Sequence, residues 1–166
     1  MKHKITLKIL CYALLGVIVA GCYLYFQINP AVLIRTEISP IDEETYKQLI
    51  LYDKEKYSDK SKFQEISFSL KVNYPREIQN LEVEIPEYIT ELLGSDLYLG
   101  AKYKEYNDEK SAQFVHEAEI ILYTGEVSKE EIKSMLDSGK VQLGWDYKGE
   151  RVFQIYNIGD TVVFIK

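Results

Sequence analysis

From residue 63 onward the chain alternates. Ile66, Phe68, Leu70, Val72 and Tyr74 interleave with Glu65, Ser67, Ser69, Lys71 and Asn73. That period of two puts apolar side chains on one face of a strand and polar ones on the other. Pro75 ends the run, since proline cannot donate to a ladder. Leu81, Val83 and Ile85 repeat the pattern around Glu82 and Glu84 up to Pro86. Leu97, Leu99, Ala101 and Tyr103 mark a third strand, with a turn expected over Tyr106 to Ser111. Phe114 to Tyr123 is a fourth. One of its faces carries Phe114, His116, Ala118, Ile120 and Leu122; Val115, Ile121 and Tyr123 lie on the other.

The period then changes once. Ser128 followed by Glu131 is a capping box, in which each side chain satisfies a free backbone N–H of the other's turn. Val127 can staple onto Ile132, and Gly139 is placed to end the helix. Ile132, Met135 and Leu136 form its apolar face, which predicts a short helix near 128–138. Alternation resumes in Val141, Leu143, Trp145 and Tyr147, turns at Lys148-Gly149, returns over Arg151 to Tyr156, turns again at Asn157 to Asp160, and closes with Thr161 to Ile165. The last three strands read as a meander. About seven short strands with regular turn signals and no repeated βαβ unit predict an antiparallel β-sandwich of broadly immunoglobulin-like architecture. The Cys…Trp…Cys signature of true immunoglobulin domains is missing, so the likeness is one of architecture alone.

Upstream of residue 63 the pattern differs. Ser39 as cap, Pro40 at the first helical position and Asp42, Glu43 and Glu44 near the first turn predict a helix, with Tyr46, Leu49 and Ile50 on one face. Asp53 to Lys62 is polar and aperiodic, as a linker would be. Ile9 to Ile28 carries no charge and a single amide, Gln27. As a helix rising ~1.5 Å per residue it is long enough for the ~30 Å hydrocarbon core of a bilayer. Lys2, Lys4 and Lys8 precede it and the next basic residue is Arg35, which places the N-terminus in the cytoplasm and the rest outside. The expected organisation is a membrane anchor over 1–29, a membrane-proximal helix and linker over 30–62, and the β-sandwich over 63–166.

Val19-Ala20-Gly21-Cys22 resembles the lipobox of bacterial lipoproteins: an aliphatic residue, two small ones, and the cysteine that is acylated after cleavage. The resemblance covers these four residues and the signal-like stretch before them. It makes Cys22 a candidate for lipidation. The residues that follow, Tyr23-Leu24-Tyr25-Phe26, depart from the small or polar residues usual after a lipobox and suit the aromatic belt of a continuing membrane helix. Two readings stay open, an uncleaved single-pass anchor and a lipid anchor. Both tether residues 30–166 outside the cytoplasm.

Composition narrows what that exported part does. The chain has 20 Lys and Arg against 26 Asp and Glu. Its first 28 residues take three of the lysines and no acid, leaving 17 basic residues against 26 acidic ones, hence a net charge of −9. Such a surface repels nucleic acid and anionic lipid. Both cysteines, Cys11 and Cys22, fall in the apolar segment, so the exported part has no disulfide and depends on its core.

Catalytic signals are sparse. His116 is the exported part's one histidine, set mid-strand on an apolar face, and nucleophile systems need a reachable base. Zinc would have to be held by carboxylates, which suit it poorly. Asp42-Glu43-Glu44 and Asn107-Asp108-Glu109 are acidic enough for calcium but lack EF-hand spacing, and read as a helix start and a turn. Glu82 with Glu84, and Glu117 with Glu119, read as wet strand faces. No cofactor motif and no catalytic set is expected. Tyrosine is abundant, at 14 residues, and tyrosine favours recognition surfaces. Tyr98, Tyr123, Tyr147 and Tyr156 are the candidate interaction residues. The expectation is therefore a membrane-tethered extracytoplasmic module of a bacterial envelope that binds a protein partner. The alternative is an accessory subunit of a membrane transport or secretion complex, acting through its anchor helix and the small residues Gly16, Ala20 and Gly21.

Overall fold

In a computed structural model of the chain, residues 11–22, 25, 29–49, 57–86, 93–94, 97–125 and 127–165 are described. Just over half of these are strand. The strands are β1 (Ala31–Pro40), β2 (Phe63–Asn73), β3 (Gln79–Glu84), β4 (Tyr98–Asp108), β5 (Gln113–Tyr123), β6 (Lys140–Tyr147), β7 (Glu150–Asn157) and β8 (Val162–Phe164). Two short helices, α1 (Glu43–Leu49) and α2 (Lys129–Asp137), and two 3-10 turns join them.

The strands form two sheets. Five lie in the order β4-β5-β2-β1-β8 and three in the order β3-β6-β7. All pairings are antiparallel except β1 with β8. One core cluster joins both sheets: Ile66, Phe68, Leu70 and Val72 of β2 and Ile120 and Leu122 of β5 meet Val141, Leu143 and Trp145 of β6. The period-two reading of β2, β3, β5, β6 and β7 holds, because each strand buries one face and wets the other.

Helix α2 starts as its sequence dictates. The Ser128 side chain accepts from the Glu131 amide at 3.2 Å, and the Glu131 carboxylate accepts from the Ser128 amide at 2.8 Å. Ile132 and Leu136 are buried. The end differs from expectation. Ser138 caps it in the ordinary helical conformation, and Gly139 merely donates its amide to the Leu136 carbonyl at 3.0 Å. The Lys148-Gly149 turn matches its prediction: φ values of 52° and 84° give the two left-handed positions that suit a tight hairpin.

Four expectations need correction. Residues 30–62 are not simply a helix and linker, because β1 pairs with β2 along its whole length, from Ala31↔Asn73 to Pro40↔Gln64. Its start was masked by the apolar run Ala31 to Ile34, which reads as a continuation of the anchor. The helix expected from Ser39-Pro40 begins later, at Glu43, because Asp42 is the better cap: its carboxylate accepts from the Thr45 amide at 2.7 Å and the Thr45 hydroxyl at 2.9 Å. Ile50 on its expected face lies outside the described residues. The turn expected over Tyr106 to Ser111 comes later too, since β4 runs through Asp108. Finally, the last three strands are no meander. After β7 the chain crosses through the 3-10 turn Gly159–Thr161 to the other sheet, and β8 runs parallel to β1, Thr36↔Val162 to Ile38↔Phe164. Thr36, fully buried, donates its hydroxyl to that of Thr161 at 2.8 Å, which itself donates to the Ile158 carbonyl at 2.7 Å. The crossing satisfies a buried polar group that would otherwise cost free energy.

The expected membrane segment lies only in part within the described residues. Residues 11–22 are helical and exposed. Among the described residues no helix is long and apolar enough to cross a membrane.

Candidate interaction surfaces

Among the described residues, strand β4 is the outer strand of the larger sheet and pairs only with β5. It is 11 residues long, and Lys102 to Asp108 are all exposed. Its side chains are turned back onto β5. On the outward face Lys104 Nζ lies 3.3 Å from the Glu117 carboxylate, and Lys102 reaches Glu119 at 4.0 Å. On the inward face the Glu105 carboxylate meets His116 Nδ1 at 2.8 Å, with the Tyr103 ring 6.1 Å from the imidazole. Tyr103, on this face, stays exposed. Among the described residues nothing pairs with the backbone edge itself, a row of amides and carbonyls of the kind that accepts an added strand.

The smaller sheet presents a different surface. Glu82 of β3, Asp146 of β6 and Arg151 of β7 form one charge cluster, with Arg151 Nη1 3.2 Å from Asp146 Oδ1 and 3.0 Å from the Asn80 carbonyl, and Nη2 bonded to Glu82. Asn80 sits at φ 50° in the bulge of β3 and donates to Asp146 at 2.6 Å. These two donors hold the Asp146 carboxyl below its usual range. Gly144 forms the floor. A Cβ there would lie 2.8 Å from Arg151 and 3.1 Å from Phe153. The missing side chain lets the guanidinium and the Phe153 ring lie flat, with the guanidinium 5.3 Å from the ring centre. Beside them Ile155 is exposed. Between β7 and the start of β1 runs a cleft of about 380 Å³ lined by Val32, Leu33, Ile34, Ile155 and Tyr156.

The four tyrosines singled out by sequence are not gathered on one face. Tyr98 and Tyr123 sit at the β4–β5 end of the larger sheet; Tyr147 and Tyr156 sit at opposite ends of the β6–β7 ladder. Tyr98, Tyr147 and Tyr156 pack against the core. Tyr123 belongs to an aromatic cluster with Phe63 and Tyr57, at centroid distances of 5.1 and 5.2 Å. Burial raises the Tyr156 phenol above its ordinary pKa, and its hydroxyl donates to Gln154 at 2.6 Å. The exposed aromatic residues Tyr103, Tyr106 and Phe153 were missed by sequence. Their signal was weak: each sits on an edge strand, and which strands are edges follows from pairing alone. Cys22 is helical and exposed.

The acidic clusters are committed locally. Asp42 caps α1, and bonds from the Thr45 amide and hydroxyl lower its pKa. Asp108 accepts from the Ser111 hydroxyl at 2.8 Å and the Lys110 amide at 3.0 Å, with the same consequence. Among the described residues no group of three His, Cys, Asp or Glu is placed to hold a metal ion. No protein-family model and no curated protein matches the chain.

Proposed function

We propose that this protein is a membrane-tethered, extracytoplasmic binding module of a bacterial envelope, in which a two-sheet sandwich of broadly immunoglobulin-like architecture engages a protein partner through the open edge of β4. The anchor is the apolar segment 9–28, as a single span or, after cleavage, through acylated Cys22. The observation that supports the binding role is the β4 edge: long, exposed, paired on one side and stiffened by three side-chain contacts to β5. A preformed edge offers main-chain hydrogen bonds to an extended segment without ordering cost on its own side. Lys102 and Lys104 make it selective, since edge lysines discourage indiscriminate pairing. Tethering raises the module's effective concentration near membrane partners. No catalytic role is part of this reading.

The test uses the full chain in its own membrane. A photo-crosslinking residue at Lys102, Lys104 or Tyr106 gives an adduct with a second protein, whereas the same residue at Ser69 or Glu37, on the outer face of the central strands, gives none. Equal yields at both sets of positions would discard the edge as the binding site. Intact mass of the membrane-extracted protein separates the two anchors: the full chain for a span, residues 22–166 plus acyl chains for a lipoprotein.

A further inference from the structure

A second exposed apolar group lies across the fold from β4. Leu33 is 64% exposed, Phe153 57% and Ile155 59%. Leu33 and Ile155 both line the β1–β7 cleft. This cleft exists because β8 covers β1 only from Thr36 to Ile38, so among the described residues no strand pairs with the first five residues of β1 on that side. Phe153 precedes Ile155 by two residues on the same outer face of β7, so large apolar side chains stay exposed at and next to this cleft, which a soluble surface has no need of.

Their position relative to the anchor is the second observation. Asn29 donates its amide to the Tyr25 carbonyl at 3.1 Å and its side-chain amide to the same oxygen at 3.0 Å. Its Oδ1 faces Gln154 Nε2 of β7 at 3.5 Å. Pro30 is buried and β1 starts at Ala31. Between residue 28, where the apolar segment ends, and β1 there are thus two residues, and the three steps from 28 to 31 reach about 10–11 Å at most. The headgroup layer on each side of a bilayer is about 5–7 Å thick. A domain held that closely rests on the lipid, and the side that carries Leu33, Phe153 and Ile155 is the side to which the anchor connects.

We propose that the β1–β7 side of the domain lies in the membrane interface, with Leu33, Phe153 and Ile155 inserted among lipid headgroups and upper acyl chains. The proposal rests on the reading of 9–28 as the membrane anchor. The occupant is lipid because the three side chains do not form one flat patch: Leu33 projects from the larger sheet and Ile155 from the smaller, across an open cleft that only a deformable medium fills. Docking is apolar. Asp160 lines the cleft and the domain carries a net charge of −9, so anionic headgroups do not drive it. Arg35, ion-paired with Glu37, can keep its charge in the headgroup layer while its stem follows Leu33. The arrangement also orients the module. β4 is three strands removed from β1, roughly 14 Å at the usual interstrand spacing, and its open edge points away from the bilayer.

The full chain, reconstituted in phosphatidylcholine vesicles, tests this with brominated phosphatidylcholine as a contact quencher. Trp145 is the natural tryptophan and is fully buried, so the parent chain sets the baseline. Leu33→Trp and Ile155→Trp add an emission that falls by roughly half in brominated vesicles, as expected for an aromatic side chain at interfacial depth. Phe153→Trp, the mildest change, behaves alike. Lys104→Trp on β4 shows no added quenching. High salt leaves the pattern unchanged. A chain that floats with the vesicles while the new tryptophans are quenched no more than at Lys104→Trp overturns the docking and leaves the anchor standing. A chain that does not float with vesicles overturns the anchor and the docking together.

Discussion

The two sheets obey one alternation rule and end with opposite outer faces. The five-stranded sheet turns out Glu37, Glu65, Ser67, Ser69, Lys102, Lys104, Glu117 and Glu119, with its lysines paired across strands to glutamates. The three-stranded sheet turns out one arginine clamp and then leaves Phe153 and Ile155 in the open. The first pattern is what a wet sheet face requires, opposite charges directly across from each other, and its exposed apolar exceptions, Leu33 and Val163, lie on β1 and β8, at the far side from β4. The second leaves apolar area exposed beside the anchor. The difference shows that exposure of an apolar side chain carries meaning through its neighbours and its place, since scattered exposed apolar residues are ordinary.

The largest way to stress this contrast lies inside the smaller sheet. Trp145 and Phe153 are near neighbours on adjacent strands, one facing the core and one facing out. Trp145→Ala should destabilise the fold by about 3–5 kcal/mol in urea or thermal unfolding. Phe153→Ala should change it by less than about 0.5 kcal/mol, because its ring contributes little to the core. Similar losses for both would mean the outer face is structural, and the contrast would collapse.

Next comes the crossing between sheets. A Cβ on Gly159 would lie 1.8 Å from Asp137 Oδ1 and 2.6 Å from Asp137 Cα. Gly159→Ala should therefore cost about 1–3 kcal/mol, as overpacking does. Chemical denaturation that found it neutral would show that the α2–crossing contact gives way freely, and that β8 is not fixed on β1 by it.

A smaller effect belongs to helix α2. Ser128→Ala should cost about 1 kcal/mol. Bonds from the Ser128 amide and hydroxyl hold the Glu131 carboxyl below its ordinary value. A folded-state pKa below the unfolded one gives stability that is present above the unfolded pKa and is lost as pH falls through the folded one. Unfolding midpoints measured from neutral pH down through the carboxylate range should drop less steeply in the variant than in the parent. Parallel curves would refute the capping box as the source of that acid sensitivity. The smallest effect is the β4 ladder: a double-mutant cycle on Lys104 and Glu117 should return about 0.2–1 kcal/mol, shrinking with salt. A larger coupling would mean that the edge is held by its charges more firmly than exposed pairs allow.

Much of this fold could be read from residues near one another in the chain. The alternation in β2 or β6, the capping box of Ser128 and Glu131 and the Lys148-Gly149 turn are local, because a strand's faces, a helix's first turn and a tight hairpin are set by a few successive residues. β1 was legible in part: Val32, Ile34, Thr36 and Ile38 do alternate with Leu33, Arg35, Glu37 and Ser39. Leu33, an outward position, is itself apolar and blurs the period. That same residue is one of the three proposed to meet lipid. Asp42 outcompeted Ser39 as a cap for the reason that Ser39-Pro40 were already taken by a strand.

What tertiary structure alone decided is pairing and edges. The hydrophobic period of β8 fits either sheet equally; its parallel place beside β1 follows from the Gly159–Thr161 crossing and the buried Thr36–Thr161 hydrogen bond, 125 residues apart in sequence. That β4 ends a sheet, that β8 stops short of covering β1, and that Leu33 and Ile155 line one cleft are likewise facts of how the strands are arranged. Sequence fixes which way each side chain faces along its own strand. Which strand lies next to it depends on the free energy of closing the whole core, which no local stretch encodes.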